Sequence, residues 1–390
     1  MLEVLTFTNL YPSERNPRHG VFVEQRLRRL VESGRVRARV LVPFACGAFD
    51  AAGAPAATVR HGIPVRYAPF RAIAGLTTLV NPLLMALAAR RALAEGPDAA
   101  AAIDLIDAHF LYPDGVAAVL LGRWLGKPVV LTARGSDVNV AARERVAGAC
   151  IRWAARRAAA LVAVSSALRE AMRAAGIGGP EVEVLRNGVD LTLFRPVEAA
   201  ELRRELAGEG PLLLAVGNLV AEKGYELVLG ALAELDGACL LVIGTGPERE
   251  RLGSLAESLG LRARVRFMAP VPQEQLARYY SAADLTVLGS TREGMPNVLL
   301  ESLACGTPVV ATAVGGATEI VTERVAGRLV AGRSAADFAA ACRDVLARPP
   351  ARAATRSFAE RFGWAEPIGR LAALMERVAA GTPTALAGAH

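Results

Sequence analysis

The chain is expected to fold as two α/β domains in tandem, each a doubly wound, mostly parallel sheet with helices on both faces. Three observations point there. Its 390 residues exceed what one hydrophobic core usually serves. Short apolar runs alternate with helical patterns from end to end, as in parallel sheets buried on both faces. The alternation also breaks once, around Arg186-Asn187-Gly188-Val189-Asp190 and Phe194-Arg195-Pro196. A turn dipeptide, a proline and the acidic stretch 198–209 suit a domain junction there.

Taken in order, the first half predicts strands over 3–8, 37–43, 64–69, 105–109, 128–132, 160–164 and 183–185, with helices such as 21–32 and 141–159 between them. The second series predicts strands over 212–216, 239–243, 265–268, 285–288 and 309–311, each followed by a helix, the last over 334–347. Residues 1–190 and 191–365 then form two Rossmann-like domains. A helix over 366–380 is expected to cross back to the first domain, and 381–390 to be a disordered tail. In such folds ligands bind beyond the carboxyl ends of the strands, here in a cleft that the two domains face.

Composition narrows the class. A chain 53% hydrophobic and 21% charged is globular and not disordered. Its five cysteines (Cys46, Cys150, Cys239, Cys305, Cys342) are dispersed without CxxC or zinc-ligand spacing, which suits reduced thiols in a cytoplasmic protein. The start, Met1-Leu2-Glu3-Val4-Leu5, lacks the basic region of a signal peptide and predicts a buried strand. The apolar stretch 72–89, flanked by Arg71 and Arg90-Arg91, is broken by Asn81-Pro82. It predicts a buried or surface-lying helix sooner than a membrane span.

Charge is uneven. Residues 1–195 hold 25 Lys and Arg against 16 Asp and Glu, and the remainder holds 20 against 22. The basic excess in the first half suits an anionic membrane surface or a phosphorylated acceptor. Nucleic acid is not expected, because basic and aromatic residues do not interleave and no nucleic-acid motif occurs. Only Lys127 and Lys223 are lysines.

The chemistry concentrates in the second half. Ser290-Thr291-Arg292-Glu293-Gly294-Met295-Pro296-Asn297 follows a strand and opens a helix. Amides around Gly294, Met295, Pro296 and Asn297, at the positive end of that helix, would favour an anion. At 3.6 residues per turn, Glu301 lies about two turns further along the helix from Glu293 and roughly 80° round it, so both carboxylates can face one cleft. Glu301 suits the paired hydroxyls of a ribose, and Glu293 those of a sugar. Lys223 follows the strand 212–216 and the loop Gly217-Asn218, where a cation would meet a diphosphate.

Together these segments resemble the family-4 retaining glycosyltransferases of two-domain GT-B architecture. The matching residues are Val216-Gly217-Asn218-Leu219 with Lys223-Gly224, then Val242-Ile243-Gly244-Thr245-Gly246-Pro247. Glu293 and Glu301, with seven residues between them, come next, followed by Gly306-Thr307-Pro308-Val309-Val310-Ala311-Thr312 running into Gly315-Gly316. The first half is similar to the family's acceptor domain in Tyr11-Pro12, Gly20-Val21-Phe22-Val23, His109, Pro113-Asp114-Gly115, Gly135-Ser136-Asp137 and Val164-Ser165. The resemblance implies sugar transfer from a nucleoside-diphosphate sugar with retention, usually without a metal. The acceptor would be a glycan or lipid-linked hydroxyl in cell-surface polysaccharide or glycolipid synthesis, at the cytoplasmic side of the membrane. Gly20, His109 and Asp137 would then stand on the acceptor side.

Two departures bear on the site. Asn218 stands where many members carry an arginine, and Arg134 where many carry a histidine; Arg134 would restore positive charge but stays protonated and is no base. No cofactor is expected. Gly244-Thr245-Gly246 is a lone GxG, no DxD occurs, and the four histidines form no metal cluster. An epimerase or phosphorylase on the same frame, or a sugar-nucleotide-binding subunit without turnover, are the alternatives.

Overall fold

A computed structural model describes residues 1–14, 16–46, 57–73, 77–95 and 102–381; the expected tail beyond 381 lies outside the described residues. The chain divides into two compact units, Met1–Arg186 with Trp364–His390, and Asn187–Gly363.

The first unit is built on β1 (Leu2–Phe7), β2 (Val36–Ala45), β3 (Ala57–Arg60), β4 (Ile63–Phe70), β5 (Leu105–His109), β6 (Val129–Ala133), β7 (Ala160–Ala163) and β8 (Val182–Val184). They form one sheet in the order β3-β4-β2-β1-β5-β6-β7-β8. Every pairing is parallel except β3 with β4. That edge hairpin turns through His61 and Gly62, both with positive φ (50° and 78°), as a tight two-residue turn requires. Strands β5, β6 and β7 are buried at every residue, as in a parallel sheet covered on both faces, although β5 also carries Asp107 and His109.

Helical spacing sets the core of this unit. Val23, Leu27 and Leu30 share one face of helix Val21–Glu32. They pack in one cluster with β1 and β2 and with Ile368, Leu371 and Met375 of helix Ala365–Ala379. Arg35 to Glu376 (2.9 Å) and Arg370 to Glu183 (3.2 Å) tie the same helix at its rim.

One expected helix is present despite its proline, and a second is divided. Helix Thr77–Ala94 runs through Pro82 without ending at Asn81-Pro82. The proline sits in the second turn, where it removes one ladder bond, and Met85, Ala86, Ala89 and Leu93 anchor the rest by burial. The segment 141–159 splits into a short turn, Ala141–Arg143, and a helix, Arg145–Ala155, because Glu144 is extended (ψ 135°). Among the described residues, no helix is long and apolar enough to cross a membrane.

The second unit carries β9 (Leu212–Val216), β10 (Cys239–Ile243), β11 (Val265–Met268), β12 (Leu285–Leu288), β13 (Val309–Thr312) and β14 (Gly327–Val330). The sheet is fully parallel in the order β11-β10-β9-β12-β13-β14. The chain therefore winds outward from β9 on one side, then returns to start again at β12. The loops leaving β9 and β12 lie at this switch point, where doubly wound sheets open a crevice.

Candidate functional site

Those two loops hold the candidate donor residues. The β9 loop runs from Gly217 through the exposed Asn218 to a single turn, Ala221–Lys223, closed by Gly224. Gly224 has φ 60°, and a side chain there would meet the Gly289 carbonyl at 2.0 Å. Only glycine lets the β9 and β12 loops touch at that point. The loops are also tied by Thr291 N–H to the Glu222 carbonyl (2.8 Å) and by Arg292 to the Glu222 carboxylate (2.6 Å). Tyr225 donates from behind to the Gly217 carbonyl (3.0 Å).

This clamp brings Lys223 and Glu293 together. The Lys223 Nζ lies 2.6 Å from Glu293 Oε1, and the Ser290 hydroxyl donates to the same oxygen at 2.7 Å. Glu293 is nearly covered, with 9% of its side chain exposed, while Lys223 keeps 28%. Behind them the Gly316 N–H donates to the Gly294 carbonyl (3.1 Å), pressing the Gly315-Gly316 turn against the loop.

Glu293 itself is not helical. The helix is Asn297–Ala304, entered from an extended Pro296. The expected angular relation between Glu293 and Glu301 along one helix therefore does not apply. Pro296 sets the extended entry, so the preceding residues form a loop and Glu293 is placed by Lys223 and Ser290 instead. Gly294, Met295 and Pro296 are buried under the first helical turn, which no side chain caps. Asn297 accepts from Asn187 Nδ2 through its side-chain oxygen (2.9 Å).

Glu301, 8% exposed, accepts from the buried Tyr280 hydroxyl at 2.8 Å. Burial pushes its carboxyl up to about 7, and the Tyr280 bond offsets only part of that cost.

The acceptor-side candidates belong to the first unit. Gly20 has φ 76° at the head of helix Val21–Glu32, and a side chain there would meet the Leu10 carbonyl at 2.1 Å. Asp137 accepts from the backbone N–H of Leu111 (2.8 Å), Gly135 (2.8 Å), Arg134 (3.1 Å) and Val138 (3.2 Å). It holds the turn after β6 in place.

His109 ends β5 with both ring nitrogens engaged. Arg134 Nη2 lies 2.5 Å from Nδ1, and Asp107 Oδ2 lies 3.2 Å from Nε2. Since guanidinium only donates, Nδ1 accepts and the ring proton sits on Nε2. Burial pushes His109 down to about 4, against the pull of Asp107. Arg26, wholly buried, completes the chain by donating to Thr132 Oγ1 (3.1 Å) and lying 3.8 Å from Asp107.

Asp107 and Arg26 are absent from the sequence-derived site, as are Ser290 and Tyr280. Asp107 leaves a signal, because it lies two residues before His109 on the same face of a strand. A charged residue on an amphipathic helix, such as Arg26, leaves none.

Comparisons with known proteins bear on the family and the fold. A profile described as Glycosyl transferases group 1 matches residues 198–362, and one described as Glycosyltransferase Family 4 matches 19–193. The chain is 32% identical to a putative teichuronic acid biosynthesis glycosyltransferase, TuaC, of Bacillus subtilis, over 82% of this chain and 83% of that protein. It is 40% identical to a D-inositol 3-phosphate glycosyltransferase of Geodermatophilus obscurus over 53% of this chain, and spans about half (50%) of that relative's length. Among solved structures, sucrose-phosphate synthase from Thermosynechococcus elongatus superposes with a TM-score of 0.82 at 23% identity, covering 97% of this chain and 99% of that one. Anabaena HepE in complex with UDP-glucose gives 0.77 at 21%, covering 96% and 100%.

Proposed function

The chain belongs to the family-4 glycosyltransferases of GT-B architecture, and on that premise we propose that it transfers a sugar from a nucleoside-diphosphate sugar to a hydroxyl. The acceptor is a glycan or lipid-linked molecule of cell-surface polysaccharide or glycolipid synthesis, met at the cytoplasmic face of the membrane. The anomeric configuration is retained. The observation that carries this reading is the pairing of Lys223 with Glu293 across the loops that leave β9 and β12. It sets one cation and one carboxylate at the switch point, beside the amino end of a helix.

Each group has a task in the transfer. Lys223 and the first amides of helix Asn297–Ala304 hold the diphosphate and stabilise the charge it gains as the glycosidic bond breaks. This positive charge comes from the chain and not from a metal. Glu301 accepts ribose hydroxyls, and Glu293, displaced from Lys223 by the incoming phosphates, accepts hydroxyls of the transferred sugar. The acceptor oxygen then bonds to the anomeric carbon on the face the diphosphate leaves, and its proton passes to the departing phosphate oxygen. On the acceptor side, Arg134 adds fixed positive charge and Asp137 shapes the turn that bears it. His109, its Nδ1 committed to Arg134, positions that cation and takes no proton from the acceptor.

Thermal denaturation with UDP, GDP and ADP and their sugars tests the reading. A true donor at one hundred times its Kd adds about 2.7 kcal/mol of stability, and Lys223→Ala is expected to abolish that gain. If no nucleoside diphosphate stabilises the wild type, the reading falls.

A further inference from the structure

Helix Thr77–Ala94 turns three leucines out of the fold. Leu79, Leu83 and Leu87 are 62%, 42% and 46% exposed, while Met85, Ala86 and Ala89 of the same helix are buried. Spacing by four keeps the three on one face over about 12 Å. Arg90 continues the stripe, its guanidinium 5.7 Å from the ring centroid of Trp124. Trp124, 37% exposed, and the exposed Arg123 lie near the end of the adjoining helix Val116–Leu125. The helix carries no acidic residue, and Glu95, just beyond its end, is engaged by Arg91 at 2.6 Å.

We propose that this surface is where the protein rests on an anionic lipid bilayer. The leucines and Trp124 enter the boundary between headgroups and acyl chains, and Arg90 and Arg123 meet the lipid phosphates. A row of exposed leucines marks an interface. An apolar stripe bordered by arginine and tryptophan matches the layering of a membrane surface. Arg90 and Arg123 beside the leucines call for an anionic partner, in keeping with the 25 basic against 16 acidic residues of the first half. A second copy of the chain is the poorer occupant, since the helix carries no acidic residue to offer a partner's Arg90 a counter-charge. The surface deepens the proposed function, resting on the reading that a lipid-linked acceptor is met at a membrane.

Cosedimentation of the full chain with vesicles tests it. Binding is expected to vesicles of equal parts phosphatidylcholine and phosphatidylglycerol, to weaken with salt, and to be absent with phosphatidylcholine alone. Combining Leu79→Ser, Leu83→Ser and Leu87→Ser should lower the partition coefficient about tenfold or more, as should Arg90→Glu with Arg123→Glu. The nucleotide-induced thermal shift should persist in both. Should a variant fail to fold, quenching of tryptophan emission by brominated phospholipid in the wild type, reduced in Trp124→Phe, gives the same answer. Wild-type partition in the leucine variant, or no binding to anionic vesicles, overturns the proposal. So does a wild-type dimer that the leucine variant dissolves. Vesicle binding without any nucleotide-induced shift would leave this surface standing and remove the enzymatic reading instead.

Discussion

The two units treat the cations of their candidate sites in opposite ways. In the second unit, Lys223 keeps 28% of its side chain exposed and has a single carboxylate partner on a neighbouring loop. In the first, Arg26, Asp107, His109, Arg134 and Asp137 are all between 1% and 9% exposed. There each charge is answered by another buried group: Arg26 by Asp107, Arg134 by His109, Asp137 by four backbone amides. A cation with one replaceable partner at a loop surface is free to change partners when phosphate arrives. A cation enclosed by its partners serves first to shape its unit. Removing charge should therefore cost function in the second unit and stability in the first.

The sharpest way to break that contrast is Asp107→Ala, which takes from Arg26 its buried counter-charge and from His109 its Nε2 partner. Loss of one member of a buried pair costs about 3–5 kcal/mol, and urea unfolding of the variant is expected to show a loss of that size. A midpoint near the wild type would mean that the buried charges are not mutually supporting.

Next comes Lys223→Ala. Turnover should fall on the order of 10²–10³-fold, as when one electrostatic contact to a transition state is removed. Stability should fall by less than in Asp107→Ala, because Lys223 keeps 28% of its side chain exposed and Ser290 still donates to Glu293. Glu293→Ala is expected to behave alike. A variant that unfolds early and turns over normally would reverse the assignment.

A smaller effect separates Glu301 from both groups. Its carboxyl sits at about 7 in the fold against an ordinary 4.5, so the folded state holds the proton more tightly than the unfolded chain does. The group imposes no penalty below about pH 4.5; its cost grows as pH rises to about 7 and is constant above. Glu301→Gln, which still accepts from Tyr280, is expected to be the more stable protein at pH 8, by up to about 3 kcal/mol. That advantage should vanish at pH 4, and nucleotide affinity should drop. Equal urea midpoints at pH 8 would show that Glu301 is not buried as a charge.

The same contrast explains what was legible in the sequence. The bounds of β9, β10, β11 and β12 coincide with those read from composition alone, because each is a short apolar run between loops rich in Gly, Pro and polar residues. Edge strands β3 and β14 were not visible. Each is four residues long and only partly buried, so neither carries an unbroken apolar pattern. Asn81-Pro82 breaks the apolar stretch 72–89 in the sequence, but burial of Met85, Ala86 and Ala89 outweighs the one lost bond. In the second unit, Lys223, Glu293 and Glu301 stand in ordered motifs within the chain, so the segments that bear the candidate chemistry could be seen. Their partners could not, because Tyr280 reaches Glu301 across 21 residues. In the first unit, the link from Arg26 to Thr132 spans 106 residues, a pairing that only the folded sheet creates.

Hydrogen exchange of the full chain, with and without the stabilising nucleoside diphosphate, tests the central claim most directly. The account predicts slowed exchange in the loop 217–224 and in the segment 289–301, with the buried strands of the first unit unchanged. Protection confined to other segments, with both loops unaltered, would contradict it.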